Sequence, residues 1–588
     1  MNDSYTAVRI TLRRIQTFLL ESPRLRAMVG ANALLGETLR GRWDGAGFAR
    51  EPASLPALAV EWGAAGVPEL ADPAFELRTG DREVFSLAGG TGEPAYQDDP
   101  HAVASRTGVL SRDGGHFEAL FADGNAARGF AEAARRLLRA RLPGLPFSLT
   151  TRELVREGSR LVPRSDGRPR TQPRPAGGRD VLDIPQAFVC ELSGRELARG
   201  AQFLRAETGG IEELRKTGAG SGLRLERGEA FDRGRTADVL GILNRELLER
   251  LGPDGGEVRL ARRLDELAPD GYLAVIHADG NGVGARFHSL RGQASDDHLA
   301  EWRVREEFFY RLRSGMRVAT LEAIAVTFGG TGDVVPVRPL MLGGDDLLLV
   351  CDAARALPFA VALAQRVHAA TADVPAGGGA RAPLSLGAGV ALVPVNFPFH
   401  RAHALAEALA KSAKRISRSG NGAGVSTVDW ALVTESWHDD LERTRRRDMC
   451  WTAEGRVWAL TGRPYPIRAA DSAPGGGSLE QLLADARRLN AAWRAGGVAR
   501  SQRKELARAF DLGRYAGQFA VEALPARYRA LLQELGYVDG HGDPWFAVEG
   551  GGVCRVLDLI EVAELTRDAG PDRPGEPVAA AAAAGKGA

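Results

Sequence analysis

Cysteine is nearly absent from this chain of 588 residues. Cys190, Cys351, Cys450 and Cys554 stand too far apart to form a CxxC pair or to define a disulfide framework, so reduced thiols and no structural zinc are expected. Lysine is almost as rare. The 76 basic residues are nearly all arginine, and the lysines are Lys216, Lys411, Lys414, Lys504 and Lys586. Long apolar runs are missing too: no uncharged stretch reaches the about 18 residues that cross a bilayer, and MNDSYTAVRI lacks the basic-then-apolar order of a signal peptide. No membrane partner and a cytoplasmic location are therefore expected. Nor is there an excess of either charge. A net charge of +1 gives no global attraction to nucleic acid and leaves only local basic patches to hold a phosphate backbone.

What is present is the mixture of a globular chain, 44% apolar and 26% charged. At about 150 residues per domain its length predicts roughly four units. The clearest order of elements lies between 266 and 430. The apolar run Tyr272 to Ile276 reads as a buried strand ending at Asp279. Two helical stretches follow, at about 296–314 and 315–327, and then a Gly-rich break. VVPVRPLML and LLLVCD flank Gly343, Gly344, Asp345 and Asp346 as two strands flank a tight turn. A helix at 353–371, a strand at 384–393 and a helix at 400–415 complete the series. That is the order of an α+β palm domain, a ferredoxin-type sheet of the nucleotide-cyclase or GGDEF-like kind, with its helices expected on one face.

Residues 1–160 repeat this order faintly, with TAVRITL as the first strand and Gly114, Gly115, His116 and Phe117 in the place of GGDD. We read an internal duplication whose first palm has lost its carboxylates. The segment 161–265 is expected to be a Pro-, Gly- and Arg-rich linker followed by a helical connector. A helical C-terminal domain is expected over 431–568 and a disordered tail over 569–588.

Transfer of a phosphoryl group requires the triphosphate to be held in line and its developing charge neutralised, usually by Mg²⁺ (or Mn²⁺), which prefers hard oxygen ligands. Asp279 at a strand end, with Asp345 and Asp346 on the neighbouring hairpin, would supply them as metal-binding and catalytic residues. Gly343 and Gly344 would let phosphates approach the backbone, and Gly280, Asn281, Gly282 and Gly284 form the turn after the first strand. Taken alone, GGDD could be an ordinary hairpin turn. Its pairing with Asp279, 66 residues before Asp345 and in the right element order, favours the catalytic reading. Lys411 and Lys414 share one helix face, where an ammonium could reach a triphosphate; the alternative is a solvated helix end. Cys190 reads as a buried thiol. His438 and Asp439 have no histidine at ligand spacing to make a nuclease site.

These motifs resemble the large subunit of type III (Csm/Cmr) CRISPR effector complexes, the two-palm CRISPR polymerase. RIQTFLLESPRLRAMVGANALL is similar to that family's first-palm entry and GGHFEALF to its degenerate hairpin. CELSGRELA is similar to its zinc region stripped of cysteine pairs, HADGNGVG and LGGDDLLLV to its second-palm metal motifs, and ALAEALAKSAK to its triphosphate-contacting helix. The resemblance implies metal ligation by Asp279, Asp345 and Asp346, a phosphate contact from Lys414, and ATP as substrate. It further implies synthesis of cyclic oligoadenylate or a related adenylate messenger, in company with other effector subunits, guide RNA and target RNA. Asn281 stands where many members have a second Asp, and the chain begins at the first palm, so no HD nuclease activity is expected. Two other readings stay open, a stand-alone cyclic-dinucleotide synthase and a catalytically inert scaffold subunit.

Overall fold

The computed structural model describes the chain except for residues 1–3, 23, 44–46, 73–99, 165–169, 172–187, 195, 206–211, 237, 252–257, 292–295, 419–423, 434–439, 454, 472–476, 497, 549 and 567–588. The expected tail, most of the Arg- and Pro-rich linker, and His438 with Asp439 lie outside the described residues. No described helix is long and apolar enough to cross a membrane.

The first half is built on β1 (Ser4–Leu12), which continues into a short helix α1 (Ile15–Leu19) and then α2 (Leu25–Arg40). A hairpin of β2 (Val109–Ser111) and β3 (His116–Phe121) follows, then α3 (Gly124–Arg141), β4 (Phe147–Glu157) and β5 (Arg160–Pro163). The strand β1 lies between β3 and β4 and is antiparallel to both, giving the order β2-β3-β1-β4-β5. Its alternating sequence makes both faces useful. Val8, Ile10 and Leu12 pack with residues of α2 and α3, while Tyr5 and Ala7 face a second cluster.

A connector follows, with a hairpin of β6 (Gly200–Arg205) and β7 (Glu212–Thr217) and the helices α4 (Ala219–Asp232) and α5 (Val239–Leu251). It is therefore part sheet, where helix alone was expected. The second half opens with β8 (Tyr272–Gly280), then α6 (Val283–Arg291), α7 (His298–Phe328), the hairpin β9 (Val337–Gly343) and β10 (Asp346–Asp352), α8 (Ala353–Ala370), β11 (Leu386–Pro394), α9 (Phe399–Arg418) and β12 (Thr427–Leu432). Its sheet order, β9-β10-β8-β11-β12, repeats that of the first half from the hairpin through β11, with the opening strand again central, but β12 runs parallel to β11 where β5 is antiparallel to β4.

Three details differ from expectation. The helical stretches 296–314 and 315–327 are one helix, α7. Gly315, at the expected break, is a packing residue: a Cβ there would lie 2.6 Å from Thr371 Cγ2 and 2.8 Å from the Ala370 carbonyl oxygen. Second, the helices cover both faces of the second sheet. Ala274, Ile276 and Ala278 of β8 cluster with residues of α7 and α8, whereas Leu273 and Val275 cluster with residues of α9 and of the first palm. Third, residues 431–568 are not purely helical. Four short strands, Cys450–Ala453, Arg456–Ala459, Gly551–Val553 and Phe546–Val548, form a small sheet in that order beside the helices, and β12 straddles the boundary expected at 430.

The two palms are joined by shared apolar packing and by α7, which spans them. Its first turns place Leu299 and Trp302 against Tyr5, Ala7, Leu110 and Leu120 of the first palm. Further along, Phe308, Leu312, Met316 and Ile324 enter the core of the second. Trp302 is 1% exposed and its indole N–H donates to the Leu110 carbonyl. Truncating it leaves both a cavity and an orphaned acceptor, so Trp302→Ala should destabilise the chain by about 3–5 kcal/mol. Urea denaturation followed by circular dichroism measures the change, and a loss below about 1 kcal/mol would show that α7 does not tie the palms together.

Candidate active site

The pairing register of β8 with β10 sets Asp346 directly opposite Asp279, at the end where the strands open into loops. Asp345 precedes it in the hairpin turn, and its carbonyl accepts from the Gly280 amide at 3.1 Å. Two glycines are required by this geometry. Gly344 holds a left-handed backbone at φ 44°, and a Cβ on Gly280 would lie 2.9 Å from Asp345 Cβ. Gly282 is also left-handed. Gly343 and Gly284 meet no neighbour and have no positive φ, so neither is needed for conformation.

One face of the sheet carries the chemistry. Asp279 and Asp345 carboxyls lie within hydrogen-bonding reach of each other. Lys414, from α9, bonds Asp279 through its ammonium and also donates to the Gly280 carbonyl at 2.9 Å. Asp346 Oδ2 accepts from Gln16 Nε2 of the first palm at 3.1 Å, while its Oδ1 is buried without a hydrogen-bond partner, 3.5 Å from His277 Nε2. Burial, and then the charge of Asp279, push the Asp345 carboxyl up to about 7. The same two causes push Asp346 up to about 7, although the Gln16 hydrogen bond and the Lys414 charge pull it partly back. Burial lowers the His277 imidazole below its ordinary range.

The structure thus brings together Asp279, Asp345, Asp346 and Lys414, and leaves two candidates aside. Lys411 is exposed one turn earlier on α9. Asn281 turns its amide group to Ser385 Oγ at 3.1 Å and the Val425 carbonyl at 3.2 Å, stitching the turn to the far strands instead of facing the carboxylates. Reading the sequence missed Gln16, His277 and an arginine wall. Asp345 and Asp346 line a cleft of about 720 Å³ between the palms, whose other side includes Arg9, Arg112, Arg305, Arg313 and Arg317. In a chain this rich in arginine no single one stands out. His277 was detectable, since it lies two residues before Asp279 on a strand and so shares its face.

Among the described residues, no group of three or more His, Cys, Asp or Glu closes on a metal position as it stands. The donor set nevertheless fits a hard divalent cation: oxygens only, one of them buried and unpartnered, two carboxyls held up by burial and the charge of Asp279, and open space before Gly343, Gly282 and Gly284. Meanwhile the Lys414 ammonium supplies the positive charge that Asp279 needs.

The fold is that of palm-type, nucleotide-cyclase-like domains. Residues 272–421 match the family model described as Cas10/Cmr2, second palm domain. Residues 272–421 are therefore similar to the second palm of that family, in line with the sequence resemblance. Among solved structures it is similar to a Csm1–Csm4 cassette in complex with cA4, at 12% identity and a TM-score of 0.38. It is also similar to the Csm1–Csm4 subcomplex of the type III-A CRISPR-Csm interference complex, at 12% and 0.36, and to the apo cassette, at 13% and 0.35. Each match covers 96% of this chain and 70% of the other. No curated protein matches the chain in sequence.

The raised carboxyls fix a pH dependence. The unfolded chain releases these protons near pH 4 and the folded one near pH 7, so between the two the folded state binds more protons and its stability falls as pH rises. In metal-free buffer the melting temperature should fall from about pH 5 to pH 7.5 by more than it does in an Asp345→Asn/Asp346→Asn variant. Scanning calorimetry checks this, and adding Mg²⁺ at the upper pH should restore the wild type alone.

Proposed function

We propose that this protein is a Mg²⁺-dependent nucleotidyltransferase that converts ATP into cyclic oligoadenylate or a related adenylate messenger, as the large subunit of an RNA-guided type III CRISPR complex. The observation that carries the reading is the register that sets Asp279 opposite Asp346, with Asp345 beside them, at the mouth of an arginine-walled cleft. In the reaction a ribose hydroxyl oxygen of one nucleotide attacks the α-phosphorus of another. The new P–O bond forms as the bond to pyrophosphate breaks, and the hydroxyl proton is lost to solvent.

Asp279, Asp345 and Asp346 would hold the cation, which supplies neutralising charge for the triphosphate and polarises the reacting oxygens. The chain's own groups do the rest. Arginines of the facing wall attract the polyphosphate, and the bare backbone at Gly344 lets it come close. Lys414 neutralises Asp279 while the site is empty of nucleotide and would contact a phosphate once Asp279 engages a cation.

The test is incubation with Mg²⁺ and each nucleoside triphosphate, with and without co-purified RNA, followed by mass spectrometry. Wild type should form an adenylate oligomer. Asp345→Ala/Asp346→Ala should lose turnover by at least about a thousandfold, because several kcal/mol of charge stabilisation disappear, while keeping its fold. Lys414→Ala should act more mildly, raising the apparent KM for ATP. An inert scaffold would give no Mg²⁺-dependent product from wild type in any RNA-bound state, and would assemble equally well with the double variant.

A further inference from the structure

The catalytic carboxylates belong to the second palm, yet one of them is held by the first. Asp346 Oδ2 accepts from Gln16 Nε2 at 3.1 Å, and among the described residues no other first-palm side chain bonds to Asp279, Asp345 or Asp346. Gln16 reaches this place through an unusual backbone. The chain leaves β1 at Leu12 and reverses through Arg14, whose φ of 55° and ψ of 41° make it the one non-glycine residue with positive φ among the described residues. Such a conformation persists in a bulky residue only where the surroundings fix it.

The surroundings do fix it. Leu12 and Arg13 amides donate to the Gly115 and Pro146 carbonyls at 2.8 Å each. Ile15 Cδ1 sits where a Cβ on Gly115 would be, 2.6 Å away, so the residue after the strained turn is seated on the first palm's hairpin. The hairpin that corresponds to GGDD, with His116 in the register place of Asp346, thus serves as the footing of a side chain aimed at the surviving GGDD.

We infer that Gln16 is a positioning residue for Asp346. Its neutral N–H occupies Oδ2 and leaves Oδ1, buried without a hydrogen-bond partner and 3.5 Å from His277 Nε2, as the oxygen open to a cation. A neutral donor suits this task, because it orients the carboxylate without competing as a counter-charge. Since Gln16 rides on the first palm, cation affinity in the second depends on how the two palms are placed. This inference rests on the proposed metal-dependent reaction and adds to it a regulation of the same site.

The discriminating variant is Gln16→Met, which keeps length and shape but removes the donor. Direct Mn²⁺ binding, read by electron paramagnetic resonance of the free ion, should weaken by about tenfold. Turnover at fixed subsaturating Mn²⁺ should fall in proportion, with KM for ATP within about twofold of wild type and an unchanged melting temperature in metal-free buffer. In an Asp346→Asn background Gln16→Met should have no further effect on Mn²⁺ binding. Equal Mn²⁺ affinity in wild type and Gln16→Met overturns the positioning role and leaves the enzymatic reading intact. A wild type that binds no Mn²⁺ and forms no product overturns both. A loss of affinity that persists undiminished in the Asp346→Asn background would trace the effect to general loosening and also overturn the inference.

Discussion

The structure turns on the register of two strands. Pairing β8 with β10 sets Asp279 against Asp346, and like charges directly opposite each other in an antiparallel pair oppose that pairing. The register survives because the other face of the same strands outweighs it. Ala274, Ile276 and Ala278 lie with Leu347 and Leu349 in a fully buried core against α7 and α8, and a slip of one residue would turn that whole set toward the cleft. On the chemical face the repulsion is met locally. Lys414 approaches Asp279, Gln16 donates to Asp346, and both hairpin carboxyls retain protons well above the ordinary range. Repulsion that burial imposes and a cation would relieve is how a metal-ready site is stored in an otherwise stable sheet.

The second palm does not stand alone. α7 begins on the outer face of the first sheet, where Glu118 of β3 pairs with His298 and Arg305, and ends in the core of the second. Some of the side chains of this helix that face the cleft, Arg305, Arg313 and Arg317, are thereby fixed relative to both sheets. A helix packed into two cores cannot shift against one without disturbing the other. The cleft is thus bounded by a shared rigid element on one side and by a strained turn of the first palm on another.

Much of the second palm was legible in the sequence, for physical reasons that differ from element to element. The strand β8 and the hairpin announce themselves through apolar runs broken by glycine and aspartate, which is local chemistry. The long helix was misread because Gly315 looks like a breaker when its packing partner, Thr371, is not in view. The first hairpin was placed one residue out. Aligning Gly114 and Gly115 with Gly343 and Gly344 sets His116 on Asp345, whereas strand pairing sets His116 opposite Thr11 as Asp346 is opposite Asp279. The first loop is longer, from Arg112 to Gly115, and only hydrogen-bond register counts through it correctly. α9, read as sharing a face with its sister helices, lies on the other side of the sheet with Lys414, because a helix's periodicity states that it has an apolar stripe and not which sheet face will receive it.

By itself the sequence determined the strands, the turn and the acidic residues that the turn carries, since these depend on neighbours within a few positions. Tertiary structure alone decided which groups meet those carboxylates. Gln16 lies 330 residues from Asp346 and Lys414 lies 135 from Asp279, separations at which no periodicity carries information. It decided as well that Asn281 turns away and that Lys411 stays in solvent. Where a side chain points once two sheets and their helices have closed on one another depends on which faces are already filled, and that is settled by packing the whole core at once.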